Sequence, residues 1–177
     1  MRLFIAINFD ECVKNDIKNI VNNIEKYAEQ GRFVSKEHMH LTLEFLGEVS
    51  EERVNDIISG MKILNAVPFS LSLTDLGYFK RKDGNIYWFG VAKNKELINM
   101  QKELHNLLLE KEFELEQRDY TPHLTIGRKV KLINTINLKD LTETINKIQI
   151  DVKSIDLMKS ENINGKLVYT IIFSKNL

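Results

Sequence analysis

The pattern His-Leu-Thr followed by an aliphatic residue occurs twice in this chain, at His40–Leu43 and at His123–Ile126. Both copies lie in apolar sequence of the kind that forms β-strands. Because the side chains of a strand alternate between its faces, each copy places a histidine and a threonine on one face and two aliphatic residues on the other. A buried strand rarely carries such a polar pair unless that face lines something polar. The repeat therefore predicts two strands with aliphatic sides in a core and polar sides facing one pocket.

Composition excludes several classes of protein. The chain has 177 residues, enough for one domain or two small lobes that share a core, and 25 basic residues balance 25 acidic ones. A net charge of zero argues against binding long nucleic acid by broad phosphate neutralisation, but it allows a small anionic target or a nucleic-acid end. Cys12 is the single cysteine, which excludes a disulfide framework and a cysteine-rich zinc site. The apolar run at residues 3–7 is too short for a membrane span and has no signal-peptide cleavage region, so we expect a cytoplasmic protein without membrane contact.

Hydrophobic periodicity and turn residues predict a mixed order of strands and helices. The predicted strands cover residues 2–9, 39–46, 86–91, 150–160 and 167–174, and two more begin at residues 69 and 123, directly after Pro68 and Pro122. Gly47 ends the strand at 39–46. Turns at 82–85 and 162–165 precede the strands at 86–91 and 167–174. The predicted helices are one capped by Asp10 and ended by Gly31, one opened by Ser50, one over 95–112 and a weaker one near 140–148. This order favours an α+β fold with mainly antiparallel sheet.

The repeated motif also indicates a chemistry. Two histidines can divide acid and base work near neutral pH. The hydroxyls of Thr42 and Thr125 can hold the oxygens of a phosphate. His105 lies beside the apolar stripe of a predicted helix and is interpreted as a partly exposed structural residue. His38 precedes His40 by two residues, and the two form an alternative metal pair, although no carboxylate stands at motif-like spacing and both threonines would then have no role.

These residues carry a resemblance to a known family. The relevant segments are Arg2–Ile7, His40–Val49, the strand around Trp88, and Thr121–Arg128. Together they resemble the 2H phosphoesterase superfamily, which is named for its two H-x-T/S-x motifs, and within it the RNA 2′,3′-cyclic phosphodiesterases, also called 2′-5′ RNA ligase-like proteins. The resemblance covers nearly the whole chain, and Tyr120-Thr121 before Pro122 is a departure that bears on substrate preference.

The resemblance implies a single bilobal domain over residues 1–177, with two mainly antiparallel β-sheets flanked by helices around a central cleft of pseudo-twofold symmetry. It implies hydrolysis of RNA or nucleoside 2′,3′-cyclic phosphate ends to a 2′-phosphate, with reverse 2′-5′ ligation as a side activity. It makes His40 the proton donor, His123 the proton acceptor, and Thr42 and Thr125 ligands of the phosphate. It also implies no metal, and it makes RNA 3′ ends or nucleotides bearing the cyclic phosphate the substrates. We further expect no other cofactor, no membrane contact and no obligate protein partner, and we expect a monomer, although the sequence itself does not fix the oligomeric state.

The sequence leaves several of these assignments open. A symmetric pair of histidines can exchange the donor and acceptor roles. Arg128 is a candidate phosphate contact, but it lies an odd number of residues from His123, so a bulge or twist near Gly127 is needed to bring it to the same face. Aromatic residues that offer either a platform for a base or core packing are Phe45, Tyr78, Tyr87, Trp88 and Tyr120.

Two other functions fit the same motif. One is an RNA-end or nucleotide binding protein with little turnover. The other is a phosphodiesterase for a different cyclic phosphate, such as ADP-ribose cyclic phosphate.

Overall fold

The structure is a computed structural model that describes residues 1–133, 140 and 142–177. Within these residues the strands are β1 (Arg2–Asn8), β2 (Ala28–Phe33), β3 (His40–Glu48), β4 (Phe69–Phe79), β5 (Asn85–Val91), β6 (His123–Leu132), β7 (Gln149–Val152), β8 (Ser154–Ile163) and β9 (Lys166–Asn176). The α-helices bounded within them are α1 (Glu11–Glu25), α2 (Val54–Ile63) and α3 (Lys95–Leu109). Short 3₁₀ turns occupy Lys36–His38, Glu51–Arg53 and Ile145–Lys147.

The strands form two sheets, and every strand pair among the described residues is antiparallel. One sheet has the order β3-β1-β8-β9, and the other has the order β2-β6-β5-β4-β7. Each sheet therefore contains one of the two motif strands, β3 at an edge and β6 one place in from an edge. The predicted α+β class with two mainly antiparallel sheets is confirmed.

The motif strands bury the side that the alternation predicts. Leu41 and Leu43 are 1% and 2% exposed, and Leu124 and Ile126 are 1% and 0% exposed, all within one continuous core. Full burial of such a side chain stabilises the folded chain by roughly 1.5–3 kcal/mol. The strands are thus fixed in the register that turns their histidines and threonines away from the core, because a slip of one residue would expose every aliphatic side chain.

The first helix begins where the sequence predicts and ends earlier. The side chain of Asp10 accepts a hydrogen bond of 2.8 Å from the backbone N–H of Val13, which is an ordinary N-cap. The prediction that Gly31 ends this helix is wrong, because the helix ends at Glu25 and Gly31 lies inside β2 with a φ of +125°. Pairing of β2 with β6 overrides the local helical pattern, and a Cβ at Gly31 would lie 2.6 Å from the Cα of Val130.

Two further boundaries differ from the predictions. Gly47 does not end the motif strand: it lies within β3 at φ +68°, where the register with β1 shifts and a bulge needs a left-handed residue. The predicted strand at 150–160 is two strands, because β7 pairs with β4 in one sheet and β8 pairs with β1 in the other. No glycine or proline marks the change between Val152 and Ser154, so only the tertiary topology reveals it.

The remaining differences are small. The third helix ends at Leu109 rather than at residue 112, and the last strand extends over Lys166–Asn176 rather than 167–174. Part of the weak helix predicted near 140–148 falls outside the described residues, and Ile145–Lys147 form a 3₁₀ turn. Across the described part of the chain, no helix combines the length and the apolar character that a membrane crossing requires.

Candidate active site

A cavity of about 730 Å³ brings the two motifs together. His40 and Thr42 line it from β3, and His123 and Thr125 line it from β6. The two histidines lie 83 positions apart in sequence, as do the two threonines, and each sheet supplies one histidine and one threonine. The shared pocket predicted from the repeat is therefore present.

The same irregularity follows the threonine in both motif strands. The pairing of β3 with β1 skips Leu43, and the pairing of β6 with β5 skips Ile126, so each strand bulges at the fourth residue of its motif. The extra residue reverses the alternation and turns Phe45 and Arg128 back toward the cavity, which both of them line. The bulge that a contribution from Arg128 requires is thus observed, next to Gly127.

His40 is largely buried among aromatic rings. Its ring centroid lies 4.9 Å from that of Phe4 and 5.4 Å from that of Tyr169. Burial lowers the pKa of His40 from 6.5 to about 4, because the charged imidazolium loses its hydration. A hydrogen bond with the His38 backbone opposes this shift, and positive charge on neighbouring groups adds to it. In the free protein at pH 7, His40 is therefore neutral.

The backbone fixes the tautomer of His123. Its Nδ1 lies 2.7 Å from the carbonyl oxygen of Thr121, and because a carbonyl only accepts, Nδ1 carries the hydrogen and donates it. In the neutral ring, Nε2 is then free to accept a proton. Phe79 and Trp88 pack edge-on against this ring at centroid distances of 5.3 Å and 6.0 Å, so its orientation is set by contacts as well as by the hydrogen bond.

Positive charge dominates the cavity wall. Arg2, Arg32 and Lys129 line it together with Arg128, and no aspartate or glutamate occurs among the described residues that line it. The guanidinium carbon of Arg2 also lies 5.1 Å from the ring centre of Phe45. In a chain with zero net charge, such a concentration of cations creates a site for an anion. Sequence reasoning missed all three additional cations, because their convergence depends on how the sheets fold over the cleft.

His38 also faces the cavity, but its ring is used within the protein. Nε2 donates to the carbonyl oxygen of Leu167 at 3.1 Å, and Nδ1 lies 3.0 Å from the hydroxyl of Ser35. Both ring nitrogens of His38 are therefore engaged in hydrogen bonds, so neither is free to bind a metal. Among the described residues there is no group of three or more histidine, cysteine, aspartate or glutamate side chains placed to hold a metal ion.

The aromatic candidates divide between the cavity and other parts of the protein. Of the five candidates for a base platform, only Phe45 lines the cavity, at 47% exposure. Trp88 packs beside His123, and the ring of the buried Tyr87 contacts that of Tyr78. The hydroxyl of Tyr120 donates to the backbone carbonyl oxygen of Thr42. Cavity-lining aromatic residues that the sequence did not single out are Phe4, Phe33 and Tyr169. They escaped notice because no local motif marks them, and the curling of the sheets brings them to the cleft.

A buried polar cluster supports β3 from the side opposite the cavity. Glu44 is 6% exposed, and its Oε2 lies 2.8 Å from Nδ1 of His105 and 3.3 Å from the amide nitrogen of Gln101 on α3. His105 is thus partly exposed, contacts Glu44 and does not line the cavity, which supports its interpretation as a structural residue. Together these contacts tie α3 to the strand that carries the first motif.

Removal of His105 is expected to destabilise the fold. His105→Ala leaves the Glu44 carboxylate buried with a single amide donor, and breaking a buried pair costs several kcal/mol. Because the His105 side chain is 20% exposed, we expect a smaller loss of about 2–3 kcal/mol in the free energy of unfolding. Urea denaturation measures it, with Glu116→Ala as a control that breaks the exposed ion pair to Arg118. Equal small losses in both variants would show that the buried pair adds nothing.

Two antiparallel sheets, each presenting a His-x-Thr strand to one basic cavity, place this chain in the class of two-histidine phosphoesterases. Comparison with known proteins gives the family. Residues 13–164 match the model of the 2′-5′ RNA ligase superfamily. The chain belongs to that superfamily.

Curated relatives support the same assignment. An RNA 2′,3′-cyclic phosphodiesterase of Thermotoga maritima is 38% identical over 131 residues, covering 72% of this chain and 70% of that protein. Another, from Methanocaldococcus jannaschii, is 34% identical over 177 residues, covering 97% of this chain and 98% of that protein.

Solved structures share the whole fold. A crystal structure of E. coli LigT complexed with 3′-AMP matches with a TM-score of 0.83 and 27% identity, covering 99% of this chain and 97% of that one. A crystal structure of a phosphoesterase matches with a TM-score of 0.85 and 26% identity, covering 99% and 97% of the two chains. 3′-AMP is a nucleoside monophosphate, and it is bound by that LigT protein.

Proposed function

We propose that this chain hydrolyses 2′,3′-cyclic phosphate ends of RNA or nucleosides to a 2′-phosphate by acid–base catalysis with His40 and His123. The observation that supports the proposal most directly is the convergence of both His-x-Thr motifs, one from each sheet, on a single cavity lined by cations. A cyclic phosphodiester is a small anion, and opening it requires a proton acceptor for water and a proton donor for the leaving oxygen. One histidine from each lobe can meet these two needs from opposite sides of the phosphorus.

In the proposed reaction His123 is the acceptor. Water attacks phosphorus and gives its proton to Nε2 of His123, which is unprotonated in the tautomer that Thr121 fixes. The bond between phosphorus and the 3′-oxygen breaks, and His40 donates a proton to that oxygen. The product carries a 2′-phosphate and a free 3′-hydroxyl. Attack by a 5′-hydroxyl in place of water would form a 2′-5′ bond, which accounts for ligation as a side activity.

His40 must be protonated to serve as the donor, although burial holds it neutral in the free protein. An anionic phosphate in the cavity favours the imidazolium, because an opposite charge at close range raises the pKa of a histidine. Substrate binding therefore prepares the donor. Arg128, on the cavity wall, contacts the same phosphate in this proposal and offsets the charge that develops on it.

The two threonines are proposed to donate hydrogen bonds to the non-bridging oxygens. Thr42→Val and Thr125→Val keep the β-branched shape and remove the hydroxyl. Loss of one donor to a developing oxyanion costs about 10²–10³-fold in kcat in other enzymes, and these partly exposed sites are expected to lose roughly 10–100-fold. Steady-state kinetics on cytidine 2′,3′-cyclic phosphate measure the effect, which should fall on kcat more than on KM. An unchanged kcat in both variants would assign the hydroxyls a structural role.

Substrate comparison tests the proposed function against its rivals. A short RNA with a 2′,3′-cyclic phosphate end and ADP-ribose cyclic phosphate are each incubated with the protein, and turnover and product are followed by chromatography. Faster turnover of the RNA end with a 2′-phosphate product supports the proposal. Preference for the ADP-ribose derivative would assign the other phosphodiesterase activity, and stoichiometric binding without turnover would assign a binding protein.

A further inference from the structure

A side-chain hydrogen bond joins the two catalytic motifs directly. The hydroxyl of Tyr120 donates to the backbone carbonyl oxygen of Thr42 at 2.9 Å, across 78 positions of sequence. Tyr120 precedes His123 by three residues, and Thr42 follows His40 by two. The bond therefore connects the segment that leads into one catalytic histidine with the strand that carries the other.

The strand that receives this bond is suited to it. β3 is one of the two edge strands of its sheet and bulges at Leu43, next to the carbonyl that Tyr120 contacts. Backbone groups at an edge and at a bulge need partners from outside the ladder. A tyrosine hydroxyl from the other motif segment supplies such a partner, so the position of β3 and the approach of residues 120–123 depend on each other.

The surroundings of Tyr120 keep its hydroxyl a donor. Burial raises the pKa of Tyr120 well above its usual range, and the nearby negative charge of Glu44 raises it further. The phenol therefore stays protonated at neutral pH and remains a hydrogen-bond donor. Glu44 is itself held on the rear of β3 by His105 and Gln101.

We propose that Tyr120 is a positioning residue, whose hydrogen bond to Thr42 sets the separation and orientation of His40 and His123 across the cavity. This inference rests on the proposed two-histidine function. A misplacement of about 1 Å in a catalytic group can cost about 10²-fold in rate, so even a small relaxation between the lobes has a measurable effect. Tyr120 itself does not line the cavity among the described residues, and it acts through the two histidines.

The test compares Tyr120→Phe with Tyr78→Phe. Phenylalanine keeps the ring and its packing and removes only the hydroxyl, while Tyr78 is 55% exposed and lies outside the cavity lining, which makes it the matched control. With cytidine 2′,3′-cyclic phosphate, we expect Tyr120→Phe to lower kcat by about 10–100-fold, with KM and the melting temperature little changed. Tyr78→Phe should retain the parent rate.

The same substitution in the His40→Ala protein distinguishes a positioning role from a general loss of structure. If Tyr120 acts by aligning the pair, its removal should cost little once one member of the pair is gone, because the two effects are coupled. We therefore expect Tyr120→Phe to lower the residual rate of the His40→Ala protein by no more than about twofold. A Tyr120→Phe rate equal to that of Tyr78→Phe, or the same fold loss in both backgrounds, would overturn the inference.

The same data separate the two proposals. Large losses in His40→Ala and His123→Ala together with a fully active Tyr120→Phe would remove the positioning role and leave the proposed function in place. Parent-like rates in both histidine variants would remove the proposed function itself.

Discussion

His40→Ala and His123→Ala are each expected to lower kcat on a 2′,3′-cyclic phosphate by about 10²–10⁴-fold, the range that a positioned general acid or base contributes. Both side chains line the cavity, whereas the aliphatic residues beside them in the same strands form the core. The fold should therefore survive either change. Activity assays with circular dichroism on the same samples measure both effects.

The leaving group distinguishes the two roles. A substrate with sulfur in place of the 3′-oxygen expels a thiolate, which needs little protonation because a thiol is far more acidic than an alcohol. If His40 is the donor, this substrate should restore much of the rate of His40→Ala and little of that of His123→Ala. The reverse pattern would exchange the donor and acceptor labels. Rates within about threefold of the parent for either variant on the normal substrate would contradict catalysis by a histidine pair.

The second large effect expected is on the pH profile. kcat/KM reports ionisations of the free enzyme, and the active form must hold one proton on the histidine pair. Because burial lowers the pKa of His40 to about 4, the doubly protonated pair should lose its first proton near pH 4, and activity should rise with pH there. Activity should fall again at the pH where the pair loses its second proton. In kcat the acidic limb should lie at higher pH, because bound phosphate favours the imidazolium. Initial rates with cytidine 2′,3′-cyclic phosphate across pH 3.5–9, fitted for kcat and kcat/KM, measure both limbs.

His40→Ala supplies the control for this profile, since it should erase the limb near pH 4. Folding must be checked at each pH, because the unfolded chain takes up a proton on this histidine at pH 6.5 and the folded chain takes it up at about 4. The free energy of unfolding is therefore not reduced by this residue above about pH 6.5, and it decreases by up to about 3 kcal/mol as the pH falls to about 4. A flat profile under conditions where chemistry limits the rate would contradict paired histidine catalysis.

Local sequence predicts the parts of this fold that local forces determine. The alternation in β3 and β6 predicts the buried face of each strand. Asp10 marks the start of a helix, and the Asn164-Gly165 turn marks a hairpin. Each of these features involves residues that are close in sequence. The shared pocket follows from the same logic, since two identical polar patterns need a common polar environment.

The rest depends on residues that are distant in sequence. The local pattern predicts that Gly31 ends a helix, but Gly31 lies where β2 approaches β6 closely. No residue between Val152 and Ser154 marks the change from one sheet to the other. The bulges that turn Phe45 and Arg128 into the cavity arise from pairing with β1 and β5. The hydrogen bond of Tyr120 likewise cannot be predicted from the sequence, because its acceptor is a backbone carbonyl oxygen in the other motif.

The most direct test is product analysis with cytidine 2′,3′-cyclic phosphate in excess EDTA, followed by ³¹P NMR for the parent protein and for the His40→Ala/His123→Ala double variant. We expect the parent to convert the cyclic phosphate to the 2′-phosphate at an undiminished rate in the chelator, and the double variant to leave it intact over the same period. Loss of activity in EDTA with recovery on adding a divalent ion, a 3′-phosphate product, or continued turnover by the double variant would contradict metal-independent hydrolysis by the two histidines.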